Sequence, residues 1–364
     1  MAQLTEHRDS TRASGTRSFW VVLGLSLAAA LLSLVALIVA LTARPNPTQT
    51  APSPDIVASC DASAVAGETM GSVVTLFVRS SAGVVSNGSG AFLDPDGHIL
   101  TNNHVISSAV SGGTVTVLRP NGEELAATLV GRDPQTDLAV VKVTPREPAK
   151  PIRFGGVPPI GAQVFAIGAP LGLTETFTAG VVSGLERSVR VPSDNNTTAL
   201  LVAAIQTDAS INPGNSGGML ADCAGDLVGV PTAGATASDS LGQPVAGSIG
   251  LGFAVPAATA ERVARGLIEE GRVVHGDFGL SVAPILGPNS QIAPSGLYIT
   301  SIAAGGPAAR AGLRRSDIIT AIADQPVTSA DQLQETSLSE PPGTTVAIEF
   351  RRGDQVQTAN IVLG

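Results

Sequence analysis

Between residues 18 and 43 the chain carries no charge at all. Twenty-six uncharged residues rising about 1.5 Å each span roughly 39 Å, more than the ~30 Å hydrocarbon core of a bilayer, so this stretch predicts a transmembrane helix with some tilt. The apolar region of a cleaved signal peptide runs only about 7–15 residues, which makes a retained anchor the better fit. Arg8, Arg12 and Arg17 precede the span and only Arg44 follows it closely. That bias puts residues 1–17 in the cytoplasm and the remainder outside. Residues 44–60, with Pro45, Pro47, Pro52 and Pro54 among Ser, Thr and Ala, read as an extended linker.

From residue 73 the pattern changes to short β-rich runs separated by turn signals. Six runs fall at 73–79, 89–93, 98–101, 114–118, 125–130 and 138–143, and six more at 163–168, 176–184, 200–206, 217–220, 227–230 and 251–255. Two sets of strands at this spacing predict a sandwich or paired barrels. Asp94-Pro95-Asp96-Gly97 has turn chemistry at every position. Pro256 suits a helix start, Val263, Ala264, Leu267 and Ile268 share one face, and Gly271 ends it. The pattern therefore predicts one mainly β domain over 61–271 and a small α+β domain over 272–364. Strands of the second fall near 279–282, 297–302, 318–322, 346–351 and 355–362, with helical stretches near 307–311 and 329–335.

Composition narrows this picture. Hydrophobic residues make up 43% of the 364 positions but aromatics only 3%, so the cores must be aliphatic. The 41 Gly and 25 Pro favour many turns over a helical bundle. The net charge of −9 comes without a basic cluster outside the ends of the apolar segment, which argues against a nucleic-acid partner. Cys60 and Cys223 are too few for a zinc module or a dense disulfide scaffold. In an oxidising compartment they can form one bridge; two unpaired, buried thiols are the alternative.

Candidate chemistry centres on Asn212-Pro213-Gly214-Asn215-Ser216-Gly217-Gly218. A hydroxyl among glycines lets a substrate carbonyl approach Ser216, with the N–H groups of Gly214 and Ser216 free to face the oxyanion. A serine nucleophile needs a base and a group that orients the base. Of four histidines, His7 precedes the anchor, His98 beside a hairpin turn reads as a solvated strand residue, and His275 lies between the domains. His104 remains, at the end of a strand in Leu100-Thr101-Asn102-Asn103-His104-Val105. Asp137, just before an apolar strand, is the candidate orienting carboxylate; Asp208 is a rival that shares a segment with Ser216 and reads as structural. The order His, Asp, Ser is that of chymotrypsin-like enzymes.

These motifs resemble those of the HtrA (DegP-like) serine proteases. The similarity covers Thr101 to Val105, Thr136 to Val140 and Gly214 to Gly218, and runs on through 168–172, which resembles that family's activation loop, 178–183 and 250–256. The resemblance implies a chymotrypsin-like double six-stranded β-barrel followed by a PDZ domain, usually trimeric, acting on misfolded or specific envelope proteins without a cofactor or metal. His104, Asp137 and Ser216 would be catalytic. The alternative is a non-proteolytic chaperone or PDZ scaffold whose protease fold rests inactive. Residues 306–313 and 317–319 resemble a PDZ helix and its next strand, and Phe278-Gly279-Leu280 resembles the loop that receives a peptide C-terminus. Ser316, Ala323 and Asp324 depart from the family pattern at a turn. Ser210 offers no acid to attract Lys or Arg, and Ile211, Leu251 and Phe253 are apolar candidates for the substrate pocket. A small or medium aliphatic residue is expected before the cut.

Overall fold

A computed structural model describes residues 60–169, 176–194, 197–234, 247–286, 292–327 and 329–364. The expected cytoplasmic segment, transmembrane helix and linker up to residue 59, and residues 170–175 of the activation-loop motif, lie outside the described residues. Among those described, no helix is long and apolar enough to cross a membrane.

Two closed antiparallel barrels account for the first twelve strands. The first contains β1 (Val73–Arg79), β2 (Val85–Phe92), β3 (His98–Asn102), β4 (Thr114–Leu118), β5 (Glu124–Asp133) and β6 (Leu138–Lys142), and closes where β1 pairs β4. The second contains β7 (Gln163–Gly168), β8 (Thr176–Pro192), β9 (Thr198–Thr207), β10 (Met219–Ala221), β11 (Leu227–Gly234) and β12 (Gly252–Pro256). Alternation puts one face of each strand inside. In β1, for example, Val74, Leu76 and Val78 are buried with Phe92, Ile99 and Val117 in one barrel core. The interiors are aliphatic, and Phe92 and Phe165 are the aromatic side chains among the largest fully buried ones.

The helix Ala257–Glu270 follows β12, and its stripe of Ala260, Val263, Ala264 and Leu267 packs across β5, β6, β11 and β12, so it spans both barrels. Gly271 ends it with φ 71°, a left-handed cap that glycine adopts without a Cβ clash. Beyond it lies a separate core of Phe278, Leu297, Ile299, Ile319, Ile348, Phe350 and Ile361. It sits in a six-stranded sheet ordered β13 (Leu280–Leu286), β14 (Ile292–Ile302), β15 (Ile318–Ile322), β17 (Thr345–Arg352), β18 (Gln355–Val362), with β16 (Gln325–Pro326) against β15. The helix Ala330–Ser339 starts at a capping box between Ser329 and Gln332 and runs four residues beyond its expected end.

Three features differ from expectation. β8 and β9 form one long hairpin reaching Pro192 and Thr198, because Val189 and Val191 pair with Leu201 and Ala199 while Glu186, Arg187 and Arg190 point outward and interrupt the apolar run. The helix Ala62–Thr69 is capped by Asp61, whose carboxylate accepts from the N–H groups of Ser63 and Ala64. His98 is not solvated: its side chain is 15% exposed and its Nδ1 lies 2.5 Å from Asp94 Oδ2 across the hairpin turn.

Cys60 and Cys223 are joined by a disulfide that closes a loop of 163 residues. It ties the residue just before the helix Ala62–Thr69 and its cap to the turn after β10. Replacing both by Ser should lower stability by about 2–4 kcal/mol, since a long loop is released in the unfolded chain. Urea unfolding of the two forms measures this, and equal midpoints with equal slopes would contradict it.

Candidate active site

Asp137 ends a turn that its neighbours build. Asp133 Oδ2 accepts from Thr136 Oγ1 at 2.6 Å, Asp133 Oδ1 accepts from Gln135 N–H at 3.2 Å, and the chain then enters β6 with Asp137 at φ 57°. A left-handed aspartate is uncommon and is held here from two sides. Its carbonyl accepts from Asn103 N–H at 3.0 Å and from Asn102 Nδ2 at 2.8 Å. Its carboxylate has no exposed surface.

His104 stands in the helical turn Asn103–Ile106 directly after β3. Asp137 Oδ1 accepts from its backbone N–H at 2.8 Å and Asp137 Oδ2 lies 2.6 Å from its Nδ1. An ionised carboxylate only accepts, so Nδ1 carries a proton, and in the neutral imidazole Nε2 keeps its lone pair. The imidazole is 36% exposed, which leaves that second nitrogen open to a reacting group.

Ser216 comes from the second barrel, on the turn before β10. Its Oγ donates to the carbonyl of Thr232 at 3.4 Å, and no bond to His104 Nε2 is formed. Such contacts are commonly long or misaligned before substrate binds. Thr232 is linked back to the first barrel: its Oγ1 accepts from Asn102 Nδ2 at 2.9 Å, and Asn102 is fully buried. Of the backbone N–H groups around the serine, those of Asn215, Gly217 and Gly218 are used by Asn212, Pro231 and Asn215 carbonyls. Those of Gly214 and Ser216 have no acceptor among the described residues. Gly217 must be glycine: at φ 82° a Cβ would stand 2.3 Å from Ser89 O and 2.4 Å from Thr101 Oγ1.

The remaining candidates are distributed as follows. Ile211 packs into the second barrel's core with Ile205, Leu220 and Ala254, Phe253 lies partly buried against the core, and Leu251 is exposed. Asp208 accepts from Val181 N–H at 2.7 Å, a contact within its own barrel. In the C-terminal sheet Phe278 is buried, and its carbonyl accepts from Ala308 N–H at 2.9 Å. Gly279, at φ 68°, donates its N–H to Asp277 Oδ1 at 2.8 Å, so that donor is already engaged. Leu280 and Val282 of β13 and Leu333 and Gln334 of the facing helix line a cavity of about 660 Å³, which Gln135 and His275 also border. His275 Nε2 lies 2.8 Å from Asp133 Oδ2 with both side chains 5% exposed. Arg190 of the β8–β9 hairpin pairs with Asp331 and Gln334 on the same helix. Among the described residues no group of acids, histidines and cysteines could hold a metal ion.

Residues 88–230 match the model of the trypsin-like peptidase domain and residues 272–363 that of the PDZ domain. The solved structure of the HtrA-type protease AlgW with tripeptide is 32% identical, with a TM-score of 0.64, covering 84% of this chain and 97% of that one. The chain belongs to the HtrA family of serine proteases. A serine endoprotease from Yersinia pestis gives 33% identity and a TM-score of 0.60, covering 83% of this HtrA-family chain and 97% of the other. The serine protease PepD of Mycobacterium tuberculosis is 40% identical over 272 residues, which is 72% of this chain and 57% of PepD. A probable periplasmic serine endoprotease, DegP-like, of Bartonella henselae is 38% identical over 288 residues, 77% of this chain and 53% of the relative. This HtrA-family chain thus spans a little over half the length of the curated relatives it matches. Family membership accounts for the paired barrels, and the geometry above adds the residues Asn102, Thr232 and Ser89. Ser89 is pinned in the structure between two positions that tolerate no Cβ: one at Gly88 would meet Val105, and one at Gly90 would meet Ile99.

Proposed function

We propose that this chain is a serine endopeptidase in which His104 is general base then acid, Asp137 fixes its tautomer and Ser216 is the nucleophile. The observation that carries the reading is the fully buried Asp137 carboxylate gripping both the backbone and Nδ1 of a half-exposed histidine. A non-proteolytic scaffold would have no need of it. In the reaction, Ser216 Oγ leaves the Thr232 carbonyl, passes its proton to His104 Nε2 and adds to the substrate carbonyl. The N–H groups of Gly214 and Ser216 receive the oxyanion. His104 then protonates the leaving amine, and water repeats the sequence on the acyl-enzyme. No metal or cofactor enters these steps.

The protease part would comprise 61–271 and a PDZ domain 272–364. The groove beside Leu280, Val282 and Leu333 suits an extended peptide added to β13, its C-terminus at Phe278, Gly279 and Leu280. A carboxylate arriving there would compete with Asp277 for the Gly279 N–H. The uncharged segment 18–43 would anchor the protein with residues 1–17 cytoplasmic and the rest outside, in keeping with relatives named as periplasmic. Misfolded or specific envelope proteins are the substrates, and a homotrimer is the expected assembly.

Casein turnover by the chain, with Ser216→Ala as the control, tests this reading. Intact casein in both samples, or equal cleavage in both, refutes it. For specificity, Ile211, Leu251 and Phe253 would wall an apolar pocket with no acid at Ser210. In a peptide library, cleavage after Val or Ala should exceed cleavage after Lys by about tenfold or more, and equal rates would contradict the pocket assignment.

A further inference from the structure

Ser89 lies in β2 of the first barrel, yet most of its bonds go to the second. It has no exposed surface. Its N–H donates to Ser216 O at 2.9 Å, and its own carbonyl accepts from Thr101 Oγ1 at 2.7 Å. Its hydroxyl accepts from Ala169 N–H at 2.8 Å and donates to Gly214 O at 2.6 Å. A hydroxyl has one proton, and Ala169 N–H is itself a donor, so the direction of both contacts is fixed.

We propose that Ser89 is a positioning residue for the oxyanion hole, a conclusion that rests on the serine-protease reading. The two carbonyls it grips, those of Gly214 and Ser216, belong to the two residues whose N–H groups would hold the oxyanion. Peptide groups are planar. Holding the Gly214 carbonyl toward Ser89 turns the following N–H, that of Asn215, away to Asn212 O at 3.0 Å. Holding the Ser216 carbonyl likewise turns Gly217 N–H to Pro231 O at 2.9 Å. The N–H groups of Gly214 and Ser216 are those left over between these clamped peptides. The fit has no slack: a Cβ on Gly168 would stand 2.9 Å from Ser89 Oγ, and one on Gly218 3.2 Å from Ser89 Cβ. Removing the hydroxyl strands the Gly214 carbonyl and the Ala169 N–H in a buried place, and the cheapest relief is rotation of the Gly214 peptide toward another partner. Glycine permits that rotation, and the oxyanion donors move with it.

The test compares the full chain with Ser89→Ala and Ser89→Cys on a peptide substrate, well below the unfolding temperature. The Ala variant should lose roughly ten- to a hundredfold in kcat with KM nearly unchanged, as expected when oxyanion donors shift by a fraction of an ångström. Cys, a weak donor of similar shape, should fall between, and it carries the test if the Ala variant does not fold. A peptide boronic acid reads the hole directly. Ser216 Oγ adds to boron, its proton passes to His104, and a boron-bound oxygen occupies the oxyanion position. Its affinity should weaken by the same factor as kcat/KM, whereas the pH profile keeps its shape. Variants within about twofold of the parent in kcat and in boronate affinity overturn the assignment. So does a fall in kcat that boronate affinity does not follow. If the unaltered chain turns substrate over and Ser216→Ala does not, normal Ser89 variants sink this inference alone. An unaltered chain that neither cleaves nor binds boronate sinks the protease reading with it.

Discussion

Ser216→Ala is expected to lower casein turnover by about 10⁶-fold while leaving the fold intact. The side chain removed makes a single long contact, to the Thr232 carbonyl at 3.4 Å, so the native structure loses little. What it loses is the group proposed to form the acyl-enzyme. Loss of this size is what removal of a nucleophile costs when base, orienting acid and oxyanion donors act as one unit. The unfolding midpoint should stay within a degree or two of the parent, since surface-like truncations of this kind change stability by under about 0.5 kcal/mol. A variant that kept more than a hundredth of the activity would mean that another residue attacks, and the assignment would fall.

Asp137→Asn should cost about 10⁴-fold in kcat with KM little changed. Asparagine is nearly isosteric, and its carbonyl oxygen can still accept the His104 backbone N–H where Oδ1 now does, at 2.8 Å. Its amide must then point at Nδ1, where a donor forces the ring to give up that proton and carry it on Nε2 instead. An imidazole protonated at Nε2 cannot take the proton of Ser216. The defect is therefore one of tautomer, not of binding or stability, and kcat measured beside the thermal midpoint separates the two. Unimpaired kcat would point to Asp208 or another acid as the orienting group, although Asp208 already accepts from Val181 N–H.

How much of the site could be read from the chain follows from the length of its contacts. His104, Asp137 and Ser216 sit in local patterns: a strand end, an acid before an apolar strand, and a hydroxyl among glycines. Asn102, Thr232 and Ser89 carry no such mark. The contact of Asn102 with Thr232 joins residues 130 apart, and that of Ser89 with Gly214 joins residues 125 apart. Neither has a local signature because both cross from one barrel to the other. The β8–β9 hairpin was hidden for a different reason, its outward charges at Glu186, Arg187 and Arg190 masking the alternation of Val189 and Val191. His98 misled in the same way: exposure was inferred from a neighbouring turn, and only the fold brings Asp94 onto its ring.

The glycine-flanked serine and the order of the three residues were therefore properties of the sequence itself, as were the twelve short strands, the helix ending at Gly271 and the aliphatic cores. They depend on periodicity and backbone freedom, which act over a few residues. Only the tertiary structure decided that the Asp137 carboxylate is wholly buried against His104, that Cys60 bonds to Cys223, that the Ser216 hydroxyl rests on Thr232, and that Ser89 holds the loop around it. The Asp137–His104 contact forms within the first barrel, the Ser216–Thr232 contact within the second, and the Ser89 contacts between the two; in each case the distances are set by the packing of whole sheets, which no short stretch of chain encodes.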